Sequence, residues 1–163
     1  MITELQWRAR AVIDGKVQEW FPAQVPGNVQ KDYGEAMGFG DHSYGMNAEK
    51  FRVTEDYAWD YETEIPAEAL CVPEGQALFF ITKGIDYKFE ILVDGREIVA
   101  QEGMFTPVEI NLTEILGRGE AAGDGSHYLQ VHIEPHPKRA GAPDDRNQAD
   151  QCAKPPVCYV PPI

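Results

Sequence analysis

Positive charge, cysteine and long apolar runs are all scarce in this chain, and each scarcity removes a class of function. Lys and Arg number 14 against 27 Asp and Glu, a formal charge of −13 over 163 residues. That balance repels a phosphate backbone, and the cations are scattered instead of gathered into a stripe, so no nucleic-acid partner is expected. No stretch approaches the ~20 consecutive apolar residues that a membrane-spanning helix needs, so no membrane partner is expected either. Glu4, Gln6, Arg8 and Arg10 stand where a signal peptide would carry an apolar centre. The chain as given reads as soluble and without an export signal; its compartment stays open between the cytoplasm and, if a signal was removed, the periplasm or the exterior.

Three cysteines are too few, and odd in number, for a complete disulfide framework. Cys71 stands alone, while Cys152 and Cys158 are spaced C-x5-C in a Pro-rich tail. Reduced thiols, buried or in the tail, are the plain reading, and a Cys152–Cys158 bridge stays open. His127, His132 and His136 do not fall into a recognisable Cys/His zinc spacing, and Asp41, Asp144 and Asp145 lack the spacing of a calcium loop. No cofactor is expected and no residue is assigned to a metal, while calcium held in a loop by the surplus of acids stays open.

Helical periodicity is also nearly absent; the repeating signal is of period two. Leu5, Trp7, Ala9 and Ala11 alternate with Gln6, Arg8 and Arg10, and Tyr57, Trp59, Tyr61 and Thr63 alternate with Ala58, Asp60 and Glu62. Each run reads as a strand with one wet face. Ala77 to Thr82 is a continuous apolar run, as for a strand covered on both sides. Tyr87–Val93 and Arg96–Ala100 flank Asp94-Gly95, which predicts a hairpin with a two-residue turn of positive φ. Thr106–Leu112 and Tyr128–Glu134 supply further strands. One short helix is expected at residues 28–37, capped by Asn28 and stopped at Gly38. The sum is an all-β fold, an antiparallel β-sandwich of jelly-roll type, at residues 1–135. Pro135, Pro137, Pro143, Pro155, Pro156, Pro161 and Pro162 mark residues 136–163 as a tail that packs on the sandwich or leaves it.

Candidate chemistry is thin. A glycosidase needs two carboxyls about 5 Å or about 6.5–9.5 Å apart. With 27 acids some close pair is inevitable, and Asp56, Asp60, Glu62 and Glu64, sharing one strand parity, read as the solvated face of a half-buried sheet. Trp7, Trp20 and Trp59 could stack on a sugar, yet core is the simpler role for each. Cys152, His136 and Asp144 lack the local signature of a nucleophilic site. In the tail, Arg139, Asp144, Asp145, Arg146, Gln148, Asp150, Gln151 and Lys154 could exchange hydrogen bonds with sugar hydroxyls, or could be a polar linker.

The order of several loose motifs says more. Val25-Pro26-Gly27-Asn28-Val29 leads a short helix; Tyr44-Gly45-Met46-Asn47-Ala48-Glu49 follows; then come Trp59-Asp60-Tyr61-Glu62-Thr63, Gly84-Ile85-Asp86 and Phe105-Thr106-Pro107. From about Trp7 to Tyr159 the chain resembles the N-terminal, non-catalytic jelly-roll domain of glycoside hydrolase family 2, the β-galactosidase, β-mannosidase and β-glucuronidase group. The resemblance implies a carbohydrate-binding or accessory domain that docks on a (β/α)8 barrel of the same polypeptide. The intact enzyme would cleave a β-linked galactoside, mannoside or glucuronide with two barrel glutamates. This chain alone would be inert, with no catalytic residue of its own, and a homo-oligomer stays open. In the mannosidase-like branch a basic segment ending in Tyr leads to a Gly-Trp-Asp-Trp that contacts substrate; Lys154 and Tyr159 resemble the approach, but Val160-Pro161-Pro162-Ile163 stands where that sequence belongs. Arg146, Asp150, Gln151 and Lys154 are the expected contacts toward a sugar or the barrel. Two other roles fit the residues: a free-standing carbohydrate-binding module, or a protein-interaction sandwich whose acidity serves solubility.

Overall fold

A computed structural model describes residues 5–119 and 125–135. Its largest element is an antiparallel sheet. Strand β1 (Trp7–Ile13) turns through Asp14-Gly15 into the two-residue β2 (Lys16–Val17), and β3 (Phe21–Ala23) pairs the other half of the same edge of β1. The opposite edge of β1 holds β4 (Ala58–Ile65), with Trp7 opposite Thr63 and Val12 opposite Ala58. Next comes β9 (His127–Ile133), then β6 (Lys88–Val93) and β7 (Arg96–Glu102), giving the order β2-β1-β4-β9-β6-β7. A smaller sheet pairs β5 (Phe79–Thr82) with β8 (Val108–Asn111) and closes over the inner face. The expected antiparallel sandwich is present.

Alternation dictates the core. From the large sheet Trp7, Ala9, Ala11, Trp59, Tyr61, Phe89, Ile91, Val93, Leu129, Val131 and Ile133 turn inward, and Phe80, Val108 and Ile110 meet them from the small sheet. Leu70, Ile85 and Leu112 fill the gaps between. The hairpin forms as the Asp-Gly signal requires: Asp94 and Gly95 have φ of 50° and 75°, and a register shift at Ile91/Leu92 absorbs one residue of β7. The Asp94 carboxylate also accepts from the Tyr128 amide at 2.9 Å, which ties the turn to β9.

Helix α1 (Val29–Ala36) starts where Asn28 accepts from the Lys31 amide and ends at Met37 before Gly38, whose φ is 67°. Gly34 is needed there, because a Cβ would meet the Phe51 ring at 2.3 Å. Tyr33 on α1 meets Phe21, Trp59, Tyr57 and Phe39, the ring centres 5.3 to 6.1 Å apart. These contacts fix the helix against β3 and β4.

Three short elements escape the one-helix expectation: α2 (Asn47–Phe51), which continues into a 3-10 turn at Arg52–Asp56, a second 3-10 turn at Ala67–Leu70, and α3 (Leu112–Leu116). Each spans four or five residues per segment, too little for a helical period to register. The run Ala77–Thr82 is also corrected. Phe80 and Thr82 point into the core, but Phe79 and Ile81 are 46% and 41% exposed, since the described small sheet has no third layer outside it. Cys71, expected buried or in a tail, is an exposed free thiol.

Candidate functional site: the outer face of the large sheet

The outward side chains of β1, β4, β9 and β6 lie in register and form two cross-strand rows. In the first, Arg8 faces Glu62, Glu62 faces Gln130, and Gln130 faces Leu92. Arg8 Nε donates to Glu62 Oε1 at 2.9 Å, its Nη2 to the same oxygen, and Gln130 Nε2 donates to Glu62 Oε2 at 2.5 Å. The second row runs Arg10, Asp60, His132, Glu90. Arg10 Nε donates to Asp60 Oδ2 at 2.8 Å, and Asp60 Oδ1 lies 2.6 Å from His132 Nδ1. Trp20, in the segment before β3, lies over the guanidinium carbons of Arg8 and Arg10 at 4.7 and 4.3 Å.

Burial makes these rows more than a wet surface. The Glu62 side chain is 8% exposed and that of Asp60 17%. The expectation of a freely solvated acidic face therefore holds for Glu64 and fails for its two neighbours. Burial pushes the Asp60 carboxyl up, but the bonds from His132 and Arg10 outweigh it and hold the group below its ordinary range. The hydrogen bond to Asp60 lifts His132 above its usual value against an opposing burial effect, helped by Glu90 and Glu134. Between the rows lies an open depression of about 350 Å³, lined by Arg10, Asp60, Glu90, Leu92, Gln130 and His132.

Of the tryptophans, Trp7 and Trp59 are core, as expected, while Trp20 is half-buried on the outer face. Arg146, Asp150, Gln151 and Lys154 lie outside the described residues, as do Cys152, Cys158 and His136. Among the described residues no three His, Cys, Asp or Glu side chains are grouped to hold a metal ion, and no helix is long and apolar enough to cross a membrane. Sequence reading saw Asp60 and Glu62 on one face; it missed Arg8, Arg10, Gln130 and His132 as their partners. The alternation of Gln130 and His132 with Leu129, Val131 and Ile133 was the available signal.

A match to the family model described as glycosyl hydrolase 2 galactose-binding domain-like runs over residues 7–160. The chain belongs to that family. As a galactose-binding-like domain it is similar to beta-mannosidase B of Aspergillus clavatus, with 29% identity over 129 residues, 78% of this chain and 14% of the relative. Its fold is similar to that of the beta-D-mannosidase of Dictyoglomus thermophilum, with TM-score 0.62 and 25% identity over 82% of this chain and 16% of that one. The β-glucuronidase of Ruminococcus gnavus shares the fold at TM-score 0.50 and 21% identity, over 79% of this chain and 20% of that one. The chain thus spans about a sixth of these relatives, in their N-terminal galactose-binding-like domain.

Proposed function

We propose that this chain is the non-catalytic accessory domain of a family 2 exo-β-glycosidase of β-mannosidase or β-galactosidase type, and that it hydrolyses nothing alone. The observation that carries the reading is the span of the match: residues 7–160 are used by a family model, and 78–82% of the chain by β-mannosidases of which it covers only 14–16%. The paired acids agree with it. Asp60 and Glu62 spend their oxygens on Arg10, His132, Arg8 and Gln130 within a sheet, instead of flanking a cleft where a glycosidic bond could sit. Residues 136–163, with Arg146, Asp150, Gln151 and Lys154, would lead from the sandwich to a barrel of the same polypeptide and face its β-linked substrate. Exposed Phe79, Ile81 and Phe105 offer apolar area for that docking.

The test is to read the source gene through and beyond the codon for Ile163, and to assay the 163-residue chain on an aryl β-mannoside and an aryl β-galactoside. The expected result is a continuous frame of barrel length and no turnover by the chain alone. A stop codon with no continuing frame, or turnover by the isolated chain, would overturn the reading.

A further inference from the structure

We propose that the free edge of β5 pairs antiparallel with the β5 of a second copy of this chain, so that the two small sheets join into one across a two-fold axis. The inference goes beyond the accessory-domain reading and does not depend on it, and it leaves the outer face of the small sheet open to a docked domain.

An open strand edge is a template for pairing with another chain, and sheet proteins blunt it with charge, proline, a bulge or shortness. Each of the other described strands with a free side carries such a device. β2 is two residues long and starts at Lys16, β3 has Pro22 at its centre, and β8 follows Pro107 and holds Glu109. β7 carries Arg96, Glu97 and Glu102, together with the register shift that leaves Ile98 unpaired. β5 has none of these. From Gly75 to Thr82 eight residues pass without a charge or a proline, in a chain that is 25% charged. Among the described residues β5 pairs only with β8, and beyond that ladder Phe79–Thr82 make no backbone hydrogen bond. A strand aims half of its N–H and C=O groups to each side, so β5 keeps donors and acceptors to spare beside the exposed Phe79 and Ile81.

The side chains select a second copy as the occupant. Phe79, Ile81 and Lys83 share one parity and are exposed, while Phe80 and Thr82 point into the core. An antiparallel pairing centred on Ile81 keeps that parity in both copies. Ile81 meets its own counterpart at the axis, Phe80 meets Thr82 of the second copy, and Phe79 meets Lys83 of the second copy, each contact occurring twice except the one on the axis. Lys83 has no ion pair or hydrogen bond among the described residues, so its ammonium group is available to lie on the Phe79 ring of the other copy. The charge of −13 opposes association at long range, but that repulsion is screened beyond about 8 Å at physiological salt, and the β5 stretch adds nothing to it. Two short strands bury less than the roughly 1,600 Å² of a standard interface, so the dimer is weak, with a Kd on the order of 100 μM.

The test is sedimentation equilibrium of the 163-residue chain from about 10 μM to about 1 mM, at low and at high NaCl. The expected result is a monomer–dimer equilibrium that tightens as salt screens the net charge. Ile81→Lys sets two ammonium groups against each other on the axis and Phe79→Ala removes the ring under Lys83; each should raise the Kd at least about tenfold. Phe105→Ser removes a more exposed ring outside the strand and should leave the Kd unchanged. All three positions are exposed, and each variant is checked for the Tm of the parent. Under mild oxidation Ile81→Cys should give a crosslinked dimer whose peptide map joins position 81 of one copy to position 81 of the other. A dimer that Ile81→Lys leaves intact, that Phe105→Ser weakens equally, that salt loosens, or that crosslinks at another position would overturn the proposal. A strict monomer would overturn it too, and would pass the edge to a following domain. A gene that stops at Ile163 would end the accessory-domain reading and leave this one standing.

Discussion

The two faces of β4 are built from alternate residues of one eight-residue strand, and they hold the domain together by different physics. Inward, Trp59, Tyr61 and Ile65 are packed away from water in one shared apolar core. Outward, Asp60 and Glu62 are largely buried charges whose worth depends on named partners on β1 and β9. The inner face should answer to volume, and the outer face to who is left without a partner.

The largest effect tests the inner side. Trp59→Ala removes a ring packed against Phe21, Tyr33 and Tyr57 and should destabilise the domain by ~3–5 kcal/mol in denaturant unfolding. A loss under ~1 kcal/mol would mean that β4 is not central to the core. The next prediction sharpens the outer side by asymmetry. Arg8→Ala leaves the nearly buried Glu62 carboxylate without its cation, whereas Glu62→Gln leaves a half-exposed Arg8 free to hydrate. Arg8→Ala should therefore cost more, ~1–3 kcal/mol against ~1 kcal/mol or less, even though Arg8 is the more exposed partner. Equal losses would make the row an ordinary surface pair.

A pH series separates the two outer rows. The group at issue is His132, faced by Asp60 from β4, by Glu90 from β6 and by Glu134 on its own strand, with Arg10 behind Asp60. The folded protein holds the His132 proton more tightly than the unfolded chain does. Its contribution is therefore complete below the ordinary histidine value of 6.5 and is lost as pH rises through the elevated folded value. Asp60 runs the opposite way, contributing above 3.8 and losing that contribution as pH falls through its depressed folded value. The Tm gap between the parent and His132→Gln should thus be widest between these limits and narrow on the alkaline side, while the gap for Arg8→Ala stays flat there. A His132→Gln gap that does not narrow above neutral pH would remove the ion pair from the account. The smallest effect is Lys88→Ala, which cuts the exposed pair with Glu134 and should leave Tm unchanged within error.

Much of this contrast was legible in the sequence. Strand parity placed Trp59 and Tyr61 opposite Asp60 and Glu62, the Asp94-Gly95 hairpin followed from its turn residues, and Asn28 and Gly38 marked the ends of α1. What alternation lacks is the identity of the neighbour. Arg8 finds Glu62 54 positions away and Asp60 finds His132 72 positions away, pairings decided by the sheet order and its register. The same gap explains Phe79 and Ile81: an apolar run reports a preference for burial, and whether a layer exists to satisfy it is a property of the whole fold. The tail residues expected to reach a sugar lie outside the described residues, so the candidate face that emerged is a different one.

The strand order has a consequence for how such a chain comes off the ribosome. In the sheet path β9, the most C-terminal strand among the described residues, lies directly between β4 and β6. Until residue 133 emerges, the two halves of the sheet have no shared hydrogen bonds through that strand, and each shows an open edge. Translation at roughly 5–20 residues per second leaves those edges uncovered for seconds after β4 and β6 have appeared. A nascent chain stalled before β9 would therefore present two adhesive borders in place of one closed seam, and its fate would rest on what the cell supplies to shield them.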